Sequence, residues 1–525
     1  MPGACRQDPL RTPEQALSAT MIRYDIKKGV IAMRESGTLM HITSLPGTYG
    51  IGTMGAAAFH FVDFLNKAGQ HYWQILPLTP TGYGDSPYQS CSTYAGNHYL
   101  IDLDQLVKDG LLKPEELKAE FWGDDEKKVD FGAQYNGKLK VLRLAYSRFE
   151  GGAAFDKFCQ ENVSWLPDFT LFMALKDKFQ GKPWFQWEQG LKFRDPDVIW
   201  EARKELKDSI RFYSFVQYLF YNQWTALREY AHKNQVKIIG DVPIYVPYDS
   251  ADVWTATELF QLDEKLDPVA VAGCPPDAFS DDGQLWGNPL YRWDVMAKDG
   301  YSWWIRRLEA AGKLYDVVRF DHFRGFESYW AVPYGDTTAK NGKWIKGPDM
   351  DFMNTIKKRL PKLQMIAEDL GFLTQAVLDM RDESGFPGMK VLGFAFDSRE
   401  PSEYLPYTYP ANSVCYTGTH DNMTMRQWFE TASKDAVEYA TEYMTLSEKE
   451  GLVWGVIRTA MASVSDLCVI QMQDFLDLGG EARMNFPGTM TTANWTWRAE
   501  AGFDSDELAE RIRKLTVLYG RHADK

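Results

Sequence analysis

The chain has few of the features that announce redox or metal chemistry. Its six cysteines (5, 91, 159, 274, 415 and 468) lie far apart, with no CxxC pair and no short-loop spacing. That pattern argues against a disulfide framework and reads as reduced thiols in a cytosol, so a cytoplasmic location is expected. The eight histidines are scattered and form no HxxxH or HExxH, so neither a structural nor a catalytic zinc is expected. No apolar run reaches the roughly 18 residues a membrane span needs. Residues 1–30 carry Asp8, Glu14 and Asp25 and no apolar h-region, which argues against a secretory signal. Positive charge is in deficit: the net charge is −14. Nucleic-acid binding, which wants a basic face, is thereby disfavoured, and a neutral or small ligand suits the chain better. There is no repeat of fixed period and no GxGxxG after the first strand.

What is present is bulk and aromaticity. With 525 residues, 45% of them hydrophobic, the chain can build one large barrel with insertions or two to three average domains. Aromatics stand at 14%, including 18 Trp and 27 Tyr. Most belong to the core, but such an excess also suits sugar rings, whose C–H faces pack on aromatic rings.

Periodicity supplies the architecture. A strand over 38–42 is followed by an amphipathic helix over 56–68, stopped by Gly69, and by a buried strand over 71–76, which is a βαβ signature. The Gly/Tyr/Ser-rich loop 79–97 is too long for a tight connection and reads as functional. Residues 103–210 are charged and mostly helical, with Pro114 opening a short helix. They read as an inserted subdomain. The alternation resumes with a helix over 211–233 and a strand over 236–240, and an inserted loop region follows over about 245–300. A helix over 301–311, stopped by Gly312, leads to the strand at 317. Further strands are predicted over 363–367, 389–394, 413–417 and 467–472, separated by helices near 351–360, 373–384 and 447–462. A helix over 505–519 closes the chain. Eight strand–helix units predict a (β/α)8 barrel over 31–525, with residues 1–30 as a loosely packed extension. An open doubly wound sheet is the rival.

The segment 317–325, VVRFDHFRG, concentrates charge at a strand end. Alternation turns Arg319 and Asp321 to one side, and a carboxylate beside a permanent cation is expected to stay ionised with a low pKa. A buried salt bridge would explain this cluster alone. However, Asp241, Asp321, Glu368 and Asp421 each fall at the end of an apolar strand, and in a barrel all four face one mouth. Crowded like charges push at least one pKa up, so a protonated acid can coexist with an ionised one, as glycosidic cleavage requires. Arg319, His322 and His420 are expected to offset the remaining charge and donate to sugar hydroxyls.

The ordered motifs HITSLPG (41–47), LPLTPTGYGDSPYQ (76–89), GDVPIYV (240–246), GQLWGNPLY (283–291), RFDHFRG (319–325), AEDLG (367–371), GTHDN (418–422) and MNFPGT…ANWTWR (484–498) resemble the amylomaltase or disproportionating-enzyme family of 4-α-glucanotransferases, relatives of the α-amylase clan. The resemblance runs from about Gly37 to the C-terminus. It implies that Asp321 is the nucleophile, Glu368 the general acid/base, and Asp421 the carboxylate that binds ring hydroxyls and stabilises the transition state. It places Arg319, Asp241, His322 and His420 around the reacting sugar, Ser86 and Tyr88 as sugar contacts with Tyr88 stacking, and Asn494 in a late loop near the site. Trp286 belongs, on this resemblance, to a mobile loop covering the acceptor side. The implied partners are α-1,4-glucans and malto-oligosaccharides, with glucose as acceptor, no metal and no organic cofactor. Met423 and Ala278 depart from the family's usual residues and bear on acceptor preference. An α-1,4-glucan hydrolase on the same scaffold, and a glucan-binding protein with a dead site, are the competing readings.

Overall fold

The computed structural model describes residues 34–522 apart from Tyr83, residues 277–279, Phe372 and residues 398–399, together with the short strands Arg23–Asp25 and Val30–Ala32. The expected loose extension over 1–30 falls largely outside the described residues, as does Ala278.

Eight parallel strands close into a barrel in chain order: β1 (Glu35–Leu39), β2 (Tyr72–Gln74), β3 (Lys237–Pro243), β4 (Val317–Asp321), β5 (Gln364–Ala367), β6 (Gly388–Val391), β7 (Ser413–Tyr416) and β8 (Leu467–Gln471). β8 pairs with β1 through Leu467–Glu35 to Gln471–Leu39 and leaves no free edge. The (β/α)8 expectation therefore holds. Most of these strands are buried on both faces, which is why they read as short apolar runs. Several boundaries differ, beginning with the first strand, expected over 38–42 and found over Glu35–Leu39. Asp241 lies inside β3 and not beyond it. The helix expected to stop at Gly312 runs over Ser302–Leu314, since Gly312 only weakens a helix. β6 ends at Val391, where the chain turns into a 3-10 segment.

The long stretch between β2 and β3 holds several helices and ends in the 27-residue helix Lys207–Lys233, which packs most heavily on the helix Leu166–Lys178. Between β3 and the helix before β4, a region read as loop contains the strands Ala270–Cys274 and Gln284–Pro289. They join Ser328–Pro333 and Lys343–Lys346, which follow β4, in a four-stranded antiparallel sheet.

Aromatic burial fixes β4. Phe320 faces outward with no exposure, its ring 5.0 Å from Phe326 and 6.2 Å from Trp304. Trp73, Trp184, Trp224, Trp254 and Trp304 are all fully buried, so much of the aromatic excess is core. Gly240 is required by close approach: a Cβ there would stand 2.1 Å from the Tyr315 ring. We expect Gly240→Ala to destabilise the fold by about 1–3 kcal/mol, the usual cost of overpacking. Chemical denaturation should show this as a lower midpoint at unchanged slope.

Candidate active site

The acids converge as the strand register dictates. Asp241 on β3 pairs in register with Arg319 on β4, and Arg319 and Asp321 alternate to the same side. Arg319 Nη1 donates to Asp241 Oδ2 at 2.6 Å and to Asp321 Oδ1 at 3.1 Å. Phe320 is opposite Ala367, so Asp321 and Glu368 leave neighbouring strands at the same height. His322 then takes a left-handed conformation, φ +55°, that aims its backbone N–H at Glu368 Oε2, 2.7 Å away. Leu370 N–H donates to Glu368 Oε1 at 3.0 Å. Both oxygens of Glu368 are thus held by the backbone.

Asp421 comes from the loop after β7. Its Oδ1 accepts from Asn485 Nδ2 at 2.6 Å, its carbonyl accepts from Arg483, and its Oδ2 lies 3.4 Å from His420 Nε2. The His420 ring stacks on Tyr88, centroids 5.1 Å apart and planes 15° from parallel, and the Tyr88 hydroxyl donates to Asp241 Oδ2 at 2.8 Å. The chain of contacts therefore runs from β7 through the β2 loop to β3 and β4. The Asp241 and Arg319 side chains are 1% and 3% exposed, against 27% for Asp321 and 42% for Asp421. The cation and Asp241 sit on the floor, and Asp321 and Asp421 open towards solvent.

The electrostatics correct two expectations. Burial, reinforced by the charges of Asp241, Glu368 and Asp421, pushes Asp321 well above the usual carboxylate range, although Arg319 opposes the shift. Burial outweighs Arg319, whose shorter contact is in any case with Asp241. Burial also raises Glu368, against the pull of Arg319 and the two backbone donors. This tightly coupled pair retains a proton at a pH where isolated carboxylates have lost theirs. The histidines do not offset the negative charge. Burial, helped by Arg324, lowers His322 to about 3, and burial lowers His420 as well, so both are neutral.

The remaining sequence-singled residues fall into place unevenly. Ser86 accepts from the Tyr88 backbone at 3.2 Å and so shapes the turn that presents Tyr88. Thr93 fastens the same loop, its N–H and hydroxyl each 2.8 Å from Asp252. Tyr88 has one face on His420 and Trp495 tilted nearby at 5.8 Å. Trp286 lies in the strand Gln284–Pro289, half-buried, with its ring 4.8 Å from and perpendicular to His322. Asn494 is buried and spends its amide within its own loop, accepting from Phe486 N–H and donating to Thr489 O. Asn485 and Arg483, which hold Asp421, were not singled out. Asn485 lies inside the motif MNFPGT, but no strand-end or charge rule would select it. Among the described residues, Asp241 Oδ1 is buried without a hydrogen-bond partner.

The chain is similar to known proteins along most of its length. A family model described as 4-alpha-glucanotransferase matches residues 40–503. A 4-alpha-glucanotransferase of Clostridium butyricum is 51% identical over 486 residues, covering 92% of this chain and all of that protein. One from Thermus thermophilus is 45% identical over 495 residues, covering 92% of this chain and 98% of that protein. The amylomaltase of Streptococcus agalactiae, solved with acarbose, superposes with a TM-score of 0.91 at 40% identity, covering 93% of this chain and all of that one. The amylomaltase of Corynebacterium glutamicum shares the fold, with a TM-score of 0.73 at 20% identity over 93% of this chain and 75% of that one. With a family match over most of its length and relatives this similar along nearly all of it, the chain belongs to the 4-alpha-glucanotransferase family.

Proposed function

We propose that the protein transfers α-1,4-glucan segments by double displacement, with Asp321 as nucleophile, Glu368 as acid and then base, and Asp421 as the carboxylate that grips the reacting ring. The observation that carries this is the meeting of three partly open acids over one buried guanidinium, at the C-terminal ends of barrel strands. The raised proton affinity belongs to the Asp321–Glu368 pair as a whole; within it Arg319 hydrogen-bonds Asp321 and not Glu368, which favours the ionised form on Asp321 and the shared proton on Glu368. An oxygen of Asp321 attacks the anomeric carbon while Glu368 gives its proton to the glycosidic oxygen. The C1–O bond breaks, the leaving chain departs with a free 4-hydroxyl, and a β-linked glucosyl ester remains on Asp321. Glu368, now ionised, takes the proton of an incoming 4-hydroxyl, whose oxygen displaces Asp321 and restores an α-1,4 bond. One glycosidic bond breaks and one forms.

The unpaired Oδ1 of Asp241 suits a ring hydroxyl, which would supply the hydrogen bond a buried acceptor needs. Neutral His322 and His420 suit hydroxyl recognition without adding charge beside the nucleophile. Tyr88 and Trp286 offer ring surface at the two flanks. α-1,4-Glucans and malto-oligosaccharides serve as donors, with glucose or a shorter glucan as acceptor. The amylomaltase solved with acarbose supports a malto-oligosaccharide-shaped cleft. A cytoplasmic site of action is supported by reduced thiols at Cys91, Cys159, Cys415 and Cys468. Among the described residues no helix is long and apolar enough to cross a membrane.

Incubation with maltotriose should yield free glucose and a ladder of longer chains with little rise in total reducing ends; a steep rise would mean hydrolysis. Asp321→Asn should lower turnover by on the order of 10⁴-fold or more while glucan binding persists. Surviving turnover would overturn the nucleophile assignment. The same variant tests the charge state. Because burial and crowding raise the folded pKa of the Asp321–Glu368 pair, the pair's stabilising contribution is complete below the unfolded value and is lost as pH rises through the folded one. Asp321→Asn should therefore melt higher than the parent at neutral pH, with the gap closing in acid. Asp241→Asn removes a charge that raises Asp321 and frees Arg319 for it, so the acidic limb of the residual kcat/KM profile should move to lower pH.

A further inference from the structure

Behind Asp421 lies a buried acid that the chemistry above does not use. Asp474 sits in the short helix Met472–Phe475, just past β8, with no exposed surface. Its Oδ2 accepts from the Thr417 hydroxyl at 2.6 Å and from Gln471 Nε2 at 2.9 Å, and its Oδ1 accepts from Met425 N–H at 2.8 Å. Thr417 is the first residue beyond β7, and Met425 opens the helix Met425–Thr431. One carboxylate therefore closes both ends of the segment 417–425, and that segment carries His420 and Asp421.

The interior of the segment is braced as well. Asn422 Oδ1 accepts from Thr419 N–H and hydroxyl at 2.8 and 2.9 Å, and the Thr419 hydroxyl accepts from Asp421 N–H at 3.3 Å. Gly418 lies so close that a Cβ there would meet Gln471 Nε2 at 3.0 Å. The side chain and carbonyl of Asp421 are held from Asn485 and Arg483, which lie beyond the same β8 exit. The β8 exit thus supplies both the clamp on the loop ends and the grip on Asp421 itself.

We propose that Asp474 is a positioning residue for transglycosylation, fixing the 417–425 loop so that Asp421 meets the reacting glucosyl unit. An acid is a poor choice for packing here, since burial pushes Asp474 up to about 6 despite its three donors. Only an acceptor with two oxygens and no N–H can serve Thr417, Gln471 and the Met425 amide together. Asparagine would turn an N–H towards one of them and open one end of the loop.

The proposal rests on the reading of Asp421 as a ring-binding carboxylate, and the experiment separates the two. Steady-state disproportionation of maltotriose is measured well below the melting temperature of each variant. Asp474→Asn should lose roughly 10²-fold in kcat/KM, mostly in kcat, as sub-ångström misplacement of a transition-state contact does. Thr417→Val removes one clamp bond at nearly constant shape and should lose about tenfold, whereas Thr417→Ser keeps the hydroxyl and should stay near the parent. The Thr417 pair decides the matter should Asp474→Asn fail to fold. Variants that melt lower yet keep parental kcat would overturn the proposal, since a merely structural acid would behave in that way. Full activity in Asp421→Asn would instead overturn the role of Asp421 and, with it, the purpose assigned to Asp474. Loss there beside intact activity in Asp474→Asn and Thr417→Val would overturn the clamp alone.

Discussion

A single buried guanidinium sets the terms for the site. Arg319 is almost wholly out of water, and such a charge persists only when paired and hydrogen-bonded. Strand register decides its partners: Asp241 stands beside it on β3, and Asp321 follows two residues later on β4. A slip of one residue between these strands would turn the acids into the surrounding helices, so the cation and the barrel's pairing specify one another. The outward side chains of β4 reinforce the choice, because Phe320 has its own aromatic pocket and could not exchange places with Arg319.

Around that fixed charge, most of the alignment is done by backbone and neutral groups. Glu368 is oriented by two amides, one of them available only because His322 accepts a left-handed φ that most side chains avoid. The Asp421 side chain is oriented by the Asn485 carboxamide, while Arg483 holds its backbone carbonyl. The histidines are kept uncharged by burial. The cavity therefore has more acids than cations near its reacting centre, and a retained proton is the direct outcome.

Much of this was legible before any coordinates. Doubly buried strands read as apolar runs, and the acids near the ends of four of them fall at one rim once eight units are counted. The limits are equally physical. GQLWGNP, with glycines and a proline, reads as a loop, yet Gln284–Pro289 is a strand because partners from beyond β4 supply its ladder. Asp321 was expected to be held low by the arginine two residues away. Burial in the folded barrel outweighs that arginine, and Asp241, distant in sequence, makes the shorter contact with it. Asn485 carries no charge and ends no strand, so only its distance from Asp421 discloses it. In each case the deciding neighbour is remote along the chain, where periodicity carries no information.

The four-stranded sheet above the barrel is stitched from two excursions, one leaving β3 and the other leaving β4. Ala270–Cys274 lies hydrogen-bonded between a strand of its own excursion and one of the other. Shortening either excursion alone would expose an unsatisfied strand edge in the survivor. The two roof segments are consequently heritable only as a pair, and a lineage that trimmed this canopy would have had to lose both halves together.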